Sequence, residues 1–150
     1  MKKALALILC LFLLAGCGGG KTGPANELDM AAASKALDDS YTNMIVMDDT
    51  QLNVVYGLDL SLLEEYVIKC SSDNNGDFYA LLKVSDSNKK EVKSQMNNLF
   101  SVLETQSSMY TPEAVALIKN HLETSVGSYL IYLVGKDTKA LYESIKGFIK

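Results

Sequence analysis

The chain has 150 residues, 14 basic and 18 acidic, and a formal charge of −4. Every basic residue is lysine. Nucleic-acid binding rests on clustered cations and on the bidentate guanidinium fork, so an acidic chain without arginine argues against nucleic acid as a partner.

Lys2 and Lys3 precede an unbroken apolar run over residues 4–14, which ends in Leu14-Ala15-Gly16-Cys17. A positive start, a short apolar core and small residues before a cut describe a secretory signal. The run is too short for the ~20 residues a membrane-spanning helix needs. A cysteine directly after Ala15-Gly16 makes Leu14, Ala15, Gly16 and Cys17 resemble the lipobox of a bacterial lipoprotein. In such proteins the cysteine thiol takes a diacylglyceryl group and becomes the first mature residue. The expectation is a signal peptide over 1–16, a lipidated Cys17 and an extracytoplasmic protein anchored to the cell membrane. Each buried methylene of an acyl chain such as palmitate contributes ~0.8 kcal/mol, so two chains hold where one binds only marginally. Without residues 1–16 the chain keeps 12 lysines against 18 acids, a net −6. Such a domain is repelled by anionic headgroups, which leaves the lipid as the expected membrane contact.

Residues 17–25, rich in glycine, read as a short flexible tether. Residues 26–150 suffice for one domain with a single core. Asn26 and Asp29 mark a helix start, and Met30, Ala33, Leu37, Tyr41 and Met44 recur at helical spacing. Asp48-Asp49 interrupts it, residues 50–56 suit another short helix, and Gly57 is its stop. Asp59 caps a further turn. The period then changes to two. Tyr66, Ile68 and Cys70 alternate with Val67 and Lys69, and after Asn75-Gly76, Phe78 to Val84 alternates likewise, which predicts a β-hairpin. Asn88 and Glu91 form a capping pair for a helix carrying Val92, Met96, Leu99 and Leu103. Gln106-Ser107-Ser108 reads as a loop. Thr111, Pro112 and Glu113 open the next helix, which ends near Asn120. Residues 121–126 and 129–134 read as strands around Gly127, and a last helix follows Asp137 with Leu141, Ile145 and Phe148 inward.

Two strand–strand–helix units are visible, over 65–105 and 121–150. They predict an α+β fold: a four-stranded antiparallel sheet made of two hairpins, with two helices on one face and an N-terminal helix before it. Cys10 leaves with the signal and Cys17 is lipidated, so Cys70 has no disulfide partner and reads as a small buried hydrophobe. The other face of the strands, Val67, Tyr79, Leu81, Leu130, Tyr132 and Val134, is also apolar. An antiparallel sheet with one wet face should be polar there. Either the N-terminal helix covers this set, or Val67, Tyr79, Leu81 and Tyr132 form a candidate binding patch.

Beyond the lipobox, the chain carries Tyr56-Gly57-Leu58-Asp59, Glu65-Tyr66-Val67, Tyr110-Thr111-Pro112-Glu113 and Gly127-Ser128-Tyr129-Leu130. In this order and spacing, over roughly residues 28–148, it resembles a lipoprotein family of low-GC Gram-positive bacteria known only as a domain of unknown function. It departs from that family at Asn75-Gly76-Asp77-Phe78. The resemblance implies no activity and no catalytic residues.

Little else suggests chemistry. Asp73-x-Asn75-x-Asp77 begins like a calcium loop, but Phe78 stands where the glycine is required and Val84 where the glutamate is required. His121 is the one histidine, with Glu123 two residues on, and no nucleophile motif accompanies it. Adjacent pairs Asp38-Asp39 and Asp48-Asp49 diverge on a helix. No metal or cofactor is expected. The sequence therefore reads as a non-catalytic binding or accessory module at the envelope, whose candidate partner is an envelope protein or a wall component. The alternative is a small envelope hydrolase or metal-dependent enzyme using His121 and nearby carboxylates.

Overall fold

A computed structural model of the chain describes residues 26–150, so the expected signal, Cys17 and tether lie outside the described residues. Five helices and five strands follow the order α1 (Met30–Ser40), β1 (Met44–Val46), α2 (Asp49–Val54), β2 (Leu63–Ser71), β3 (Phe78–Val84), α3 (Lys89–Tyr110), α4 (Pro112–Lys119), β4 (Leu122–Val126), β5 (Tyr129–Val134) and α5 (Thr138–Lys146). The strands form one antiparallel sheet in the order β1-β2-β3-β5-β4. The class is α+β, as expected, but the sheet has five strands where four were predicted.

The fifth strand, β1, takes the residues expected to end the first helix. Tyr41 is extended and Asn43 sits at φ 52°, which ends the helical path before Met44. The Asn43 amide donates to the Asp73 carboxylate at 3.0 and 3.1 Å, and Ser72 N–H donates to the Asn43 carbonyl at 3.0 Å. Those contacts lay Met44-Ile45-Val46 along β2.

Helices cover both faces of the sheet: the N-terminal helix lies over the second face, one of the two alternatives the sequence left open, and α5 joins it there, where it was expected to share a face with α3. β3 and β5 are apolar at both parities, so each face needs a cover. On one face Phe78, Ala80, Leu82, Leu130, Tyr132 and Val134 pack with Val92, Met96, Leu99 and Phe100 of α3 and with Ala114 and Ile118 of α4. On the other, Tyr79, Leu81, Ile131 and Leu133 pack with Met30, Ala33 and Leu37 of α1 and Leu141 and Ile145 of α5. Fully burying one such Leu or Ile contributes about 1.5–3 kcal/mol.

The proposed patch is therefore not an open surface. Tyr79, Leu81 and Tyr132 are fully buried, and Val67 is partly buried against the second cluster. Nor do they share one face: Tyr79 pairs with Leu133, and Ala80 pairs with Tyr132. Tyr132 therefore faces α3 and α4, away from Tyr79. Met30 and Leu37 do cover the sheet, but over Tyr79 and Leu81.

Local chemistry sets most boundaries. Asp29, Asp48 and Asp137 each accept a bond from the backbone N–H three residues on, capping α1, α2 and α5. Two expectations fail at α3. Asn88 makes no side-chain cap; its amide donates to the Leu62 carbonyl at 3.3 Å, while Glu91 accepts from Gln95 at 3.0 Å. The predicted loop at Gln106-Ser107-Ser108 is helix. The Ser108 hydroxyl donates to the Thr105 carbonyl at 2.7 Å, so the polar side chain is satisfied by its own helix.

Candidate binding cleft

At 1.5 Å per residue the 22 residues of α3 run about 33 Å, whereas the seven of β3 span about 24 Å. The helix therefore outruns the sheet at the end where β2 turns into β3. Pro112 at the first position of α4 then turns the chain back.

The space left there is a cleft of about 800 Å³. Its walls are Met47 and Gln51 at the β1–α2 junction, the hairpin loop 72–77 and the end of α3. Met109 and Tyr110 stand on that last turn, 70% and 82% exposed. The floor is Phe78, Ile118 and the side of Cys70.

The hairpin loop is held tightly. Asn74 and Gly76 have φ of 53° and 89°, a region that suits glycine and asparagine. A Cβ on Gly76 would lie 2.6 Å from Ala114 Cβ, so the loop presses directly on α4. Asn75 bridges within the loop, its amide donating to Asp77 Oδ2 at 3.0 Å and its oxygen accepting from Asp77 N–H at 2.9 Å. On the α2 side, Asn98 donates to the Tyr56 carbonyl at 3.0 Å, and Tyr56 Oη donates to Gln106 Oε1 at 3.2 Å.

Burial pushes the Asp77 carboxyl above the usual aspartate range, against the opposing pull of the Asn75 bond and of Lys136. Burial likewise raises the Cys70 thiol and the Tyr56 phenol. Cys70 is thus a suppressed nucleophile, a thiol held protonated at neutral pH. A second, smaller cleft of about 470 Å³ lies beyond the loop, between Tyr41, Lys136 and Asp137, with Asp77 on the divide.

The other candidates do not converge here. His121 Nδ1 lies 2.8 Å from the Ile118 carbonyl and the ring stacks on Phe100 at 4.0 Å between centroids. Glu123 pairs with Lys93 at 2.8 Å. Asp73 and Asp77 point to different partners, Asn43 and Asn75. Among the described residues no group of three His, Cys, Asp or Glu is placed to hold a metal ion. Asp38 holds Lys69 at 2.6 Å, while Asp39 pairs with Lys35 along the exposed face of α1. Leu14, Ala15, Gly16 and Cys17 lie outside the described residues. Met109 and Tyr110 were missed because their segment read as a loop and the start of the next helix; the signal present was two large apolar side chains immediately before Thr111-Pro112.

A family model described as "Domain of unknown function (DUF4358)" matches residues 35–135, from within α1 to just past β5. No curated protein and no solved structure matches the chain.

Proposed function

The chain belongs to this family of domains of unknown function, and we propose that it is a non-catalytic binding module held at the outer face of the cell membrane through a diacylated Cys17. The observation that supports binding is the open cleft walled by Met109 and Tyr110. Large apolar side chains left in water beside a cavity are the usual mark of a surface that receives something. The anchoring half of the reading rests on Lys2, Lys3, the apolar run and Leu14-Ala15-Gly16-Cys17.

The two halves fit geometrically. The described chain starts beside the β4–β5 turn: a Cβ on Gly127 would lie 2.4 Å from the Asn26 carbonyl oxygen. Glu27 and Lys150 exchange backbone hydrogen bonds at 3.1 and 2.8 Å. In the sheet, Tyr129 pairs with Lys83 and Val134 with Phe78, so this turn and the cleft lie at opposite ends of β3. A membrane anchor upstream of Asn26 would thus leave the cleft facing outward.

The test is photo-cross-linking in cells from position 108, next to the cleft, in the full-length protein. A defined envelope partner captured by the parent and lost with Met109→Glu supports the reading. Capture unchanged by Met109→Glu and by Tyr110→Glu refutes it. Both side chains are largely exposed, so these variants fold. For the anchor, Cys17→Ala is expected to abolish acyl labelling and release the protein from the membrane fraction.

A further inference from the structure

We propose that the open edge of β1 receives an extended polypeptide strand from a partner, apolar at its centre and basic at its ends. The proposal goes beyond the cleft and does not depend on it.

The register shows which backbone groups are free. Ser72 N–H donates to the Asn43 carbonyl at 3.0 Å and Met47 N–H to the Ile68 carbonyl at 3.1 Å, with Ile45 across from Cys70 between them. The strand period of two therefore turns Asn43, Ile45 and Met47 toward β2, and turns the N–H and C=O groups of Met44 and Val46 outward. Among the described residues no further strand lies against them. A row of unpaired groups is a template for an added strand, and proteins blunt such edges with charge, proline or a bulge. Met44-Ile45-Val46 has no charge and no proline, and its register with β2 is unbroken. Ile45 and Val46 stand in water on opposite faces of the strand, 51% and 70% exposed. At β4, the other edge of the sheet, the exposed positions are Glu123 and Ser125.

Charge selects the partner. Asp73 lies at one end of β1, where the Asn43 amide donates to it. Asp48 and Asp49 follow Met47 at the other end, and Asp48 is still extended at φ −70° and ψ 135°. All three acids are exposed, and none forms an ion pair among the described residues. Lys69, which pairs with Val46 in the sheet, is held by Asp38 at 2.6 Å. A strand laid along β1 therefore finds uncompensated negative charge at both ends, which favours basic flanks. A second copy of this chain would bring its own acids and a net negative charge to the same edge. In strand addition the main-chain bonds supply affinity, and side chains on alternate faces supply specificity.

Full-length lipidated protein in nanodiscs is titrated at low salt with Ac-Lys-Thr-Val-Ile-Val-Thr-Lys-NH2. Companion peptides carry Glu at both ends, or N-methyl groups on both valines or on the isoleucine alone. The lysine peptide is expected to bind at least about tenfold more tightly than the glutamate peptide. Methylating one alternate set should abolish binding and the other should spare it, because only one set of N–H groups faces β1. Val46→Pro should abolish binding, since it removes a free N–H at an edge position where proline is tolerated. Val46→Lys, which keeps the backbone donor, should weaken it, and Met109→Glu should leave it unchanged. Absence of binding, or binding that survives both methylations or both Val46 variants, overturns the proposal. Binding lost with Met109→Glu and kept with Val46→Pro puts the peptide in the cleft, and overturns the proposal while leaving the cleft reading standing. Equal binding of the lysine and glutamate peptides overturns the partner class. A dimer of the free protein that Val46→Pro dissolves gives the edge to a second copy and overturns the proposal as well.

Discussion

Tyr79 lies at the centre of the sheet with no exposed surface, yet it carries a hydroxyl. That hydroxyl is placed by a polar chain running out to the surface of α1. Ser34 Oγ is 2.9 Å from Tyr79 Oη, which donates to Asp38 Oδ1 at 2.9 Å; Lys69 donates to Asp38 Oδ2 at 2.6 Å. The ring itself is stacked on Tyr41 at 5.9 Å. Tyr79→Phe keeps the ring and its packing and removes only the oxygen. A hydrogen bond to a charged group is worth about 1.5–3 kcal/mol. Ser34, almost wholly buried, also loses its side-chain partner, while Asp38 retains Lys69 and partial contact with water. The expected loss is therefore about 2 kcal/mol, or about 8 °C in Tm for a domain of this size. Urea unfolding should show a lower midpoint with an unchanged slope. A double-mutant cycle with Asp38→Asn should give a coupling of about 1 kcal/mol or more. Stability of Tyr79→Phe within about 0.5 kcal/mol of the parent would refute the claim that this chain locks α1 onto the sheet.

Three further outcomes follow from the same geometry. Gly76→Ala should cost about 2 kcal/mol or more in thermal melts, because the left-handed backbone is strained by a side chain and its Cβ meets Ala114 at 2.6 Å. Gly147→Ala is the control: the site is right-handed with nothing within 4 Å, so it should be neutral or gain about 0.4–1 kcal/mol. Cys70, half-buried and with its thiol pushed up by burial, should react with iodoacetamide far more slowly than a free thiol at neutral pH and at the free rate in urea; rapid labelling of the native protein would contradict the packing described. For the lipidated protein on vesicles, a fluorophore on Ser108→Cys should be quenched less by a headgroup-bound quencher than one on Ser125→Cys, and the reverse order would refute the outward-facing cleft.

Much of the fold is legible wherever local chemistry decides it. Asp29 and Asp137 announce their helices because a short carboxylate satisfies the N–H groups that a helix start leaves open. Pro112 opens α4 because its missing N–H costs nothing there. The alternation from Tyr66 to Val84 shows the first hairpin, and residues 129–134 coincide with β5. Which residues of β3 and β5 share a face is a different kind of question. Both strands are apolar at every position but Lys83, so parity within each strand says nothing about register across the pair. A one-residue offset exchanges the faces. That is why Tyr79 and Leu81 were grouped with Tyr132, and why the supposed patch turned out to be two buried layers.

The cleft was hidden for a related reason: it arises from a mismatch of lengths and has no motif of its own. Gln106, Ser107 and Ser108 look like the end of a helix, yet Thr105 and Ser108 return their hydroxyls to carbonyls of the same helix, at 2.9 and 2.7 Å, and α3 runs on past the sheet. Tyr110-Thr111-Pro112-Glu113, read in sequence as a helix start and as one mark of the family resemblance, is the place where that overhang stops. The turn at Thr111-Pro112 brings Ala114 back against Gly76, which seats the hairpin loop and with it Asp77. The same four residues therefore leave Tyr110 in the open and seat the loop beside it. A change that lengthened the sheet or shortened α3 by a turn would remove the cleft without disturbing either core.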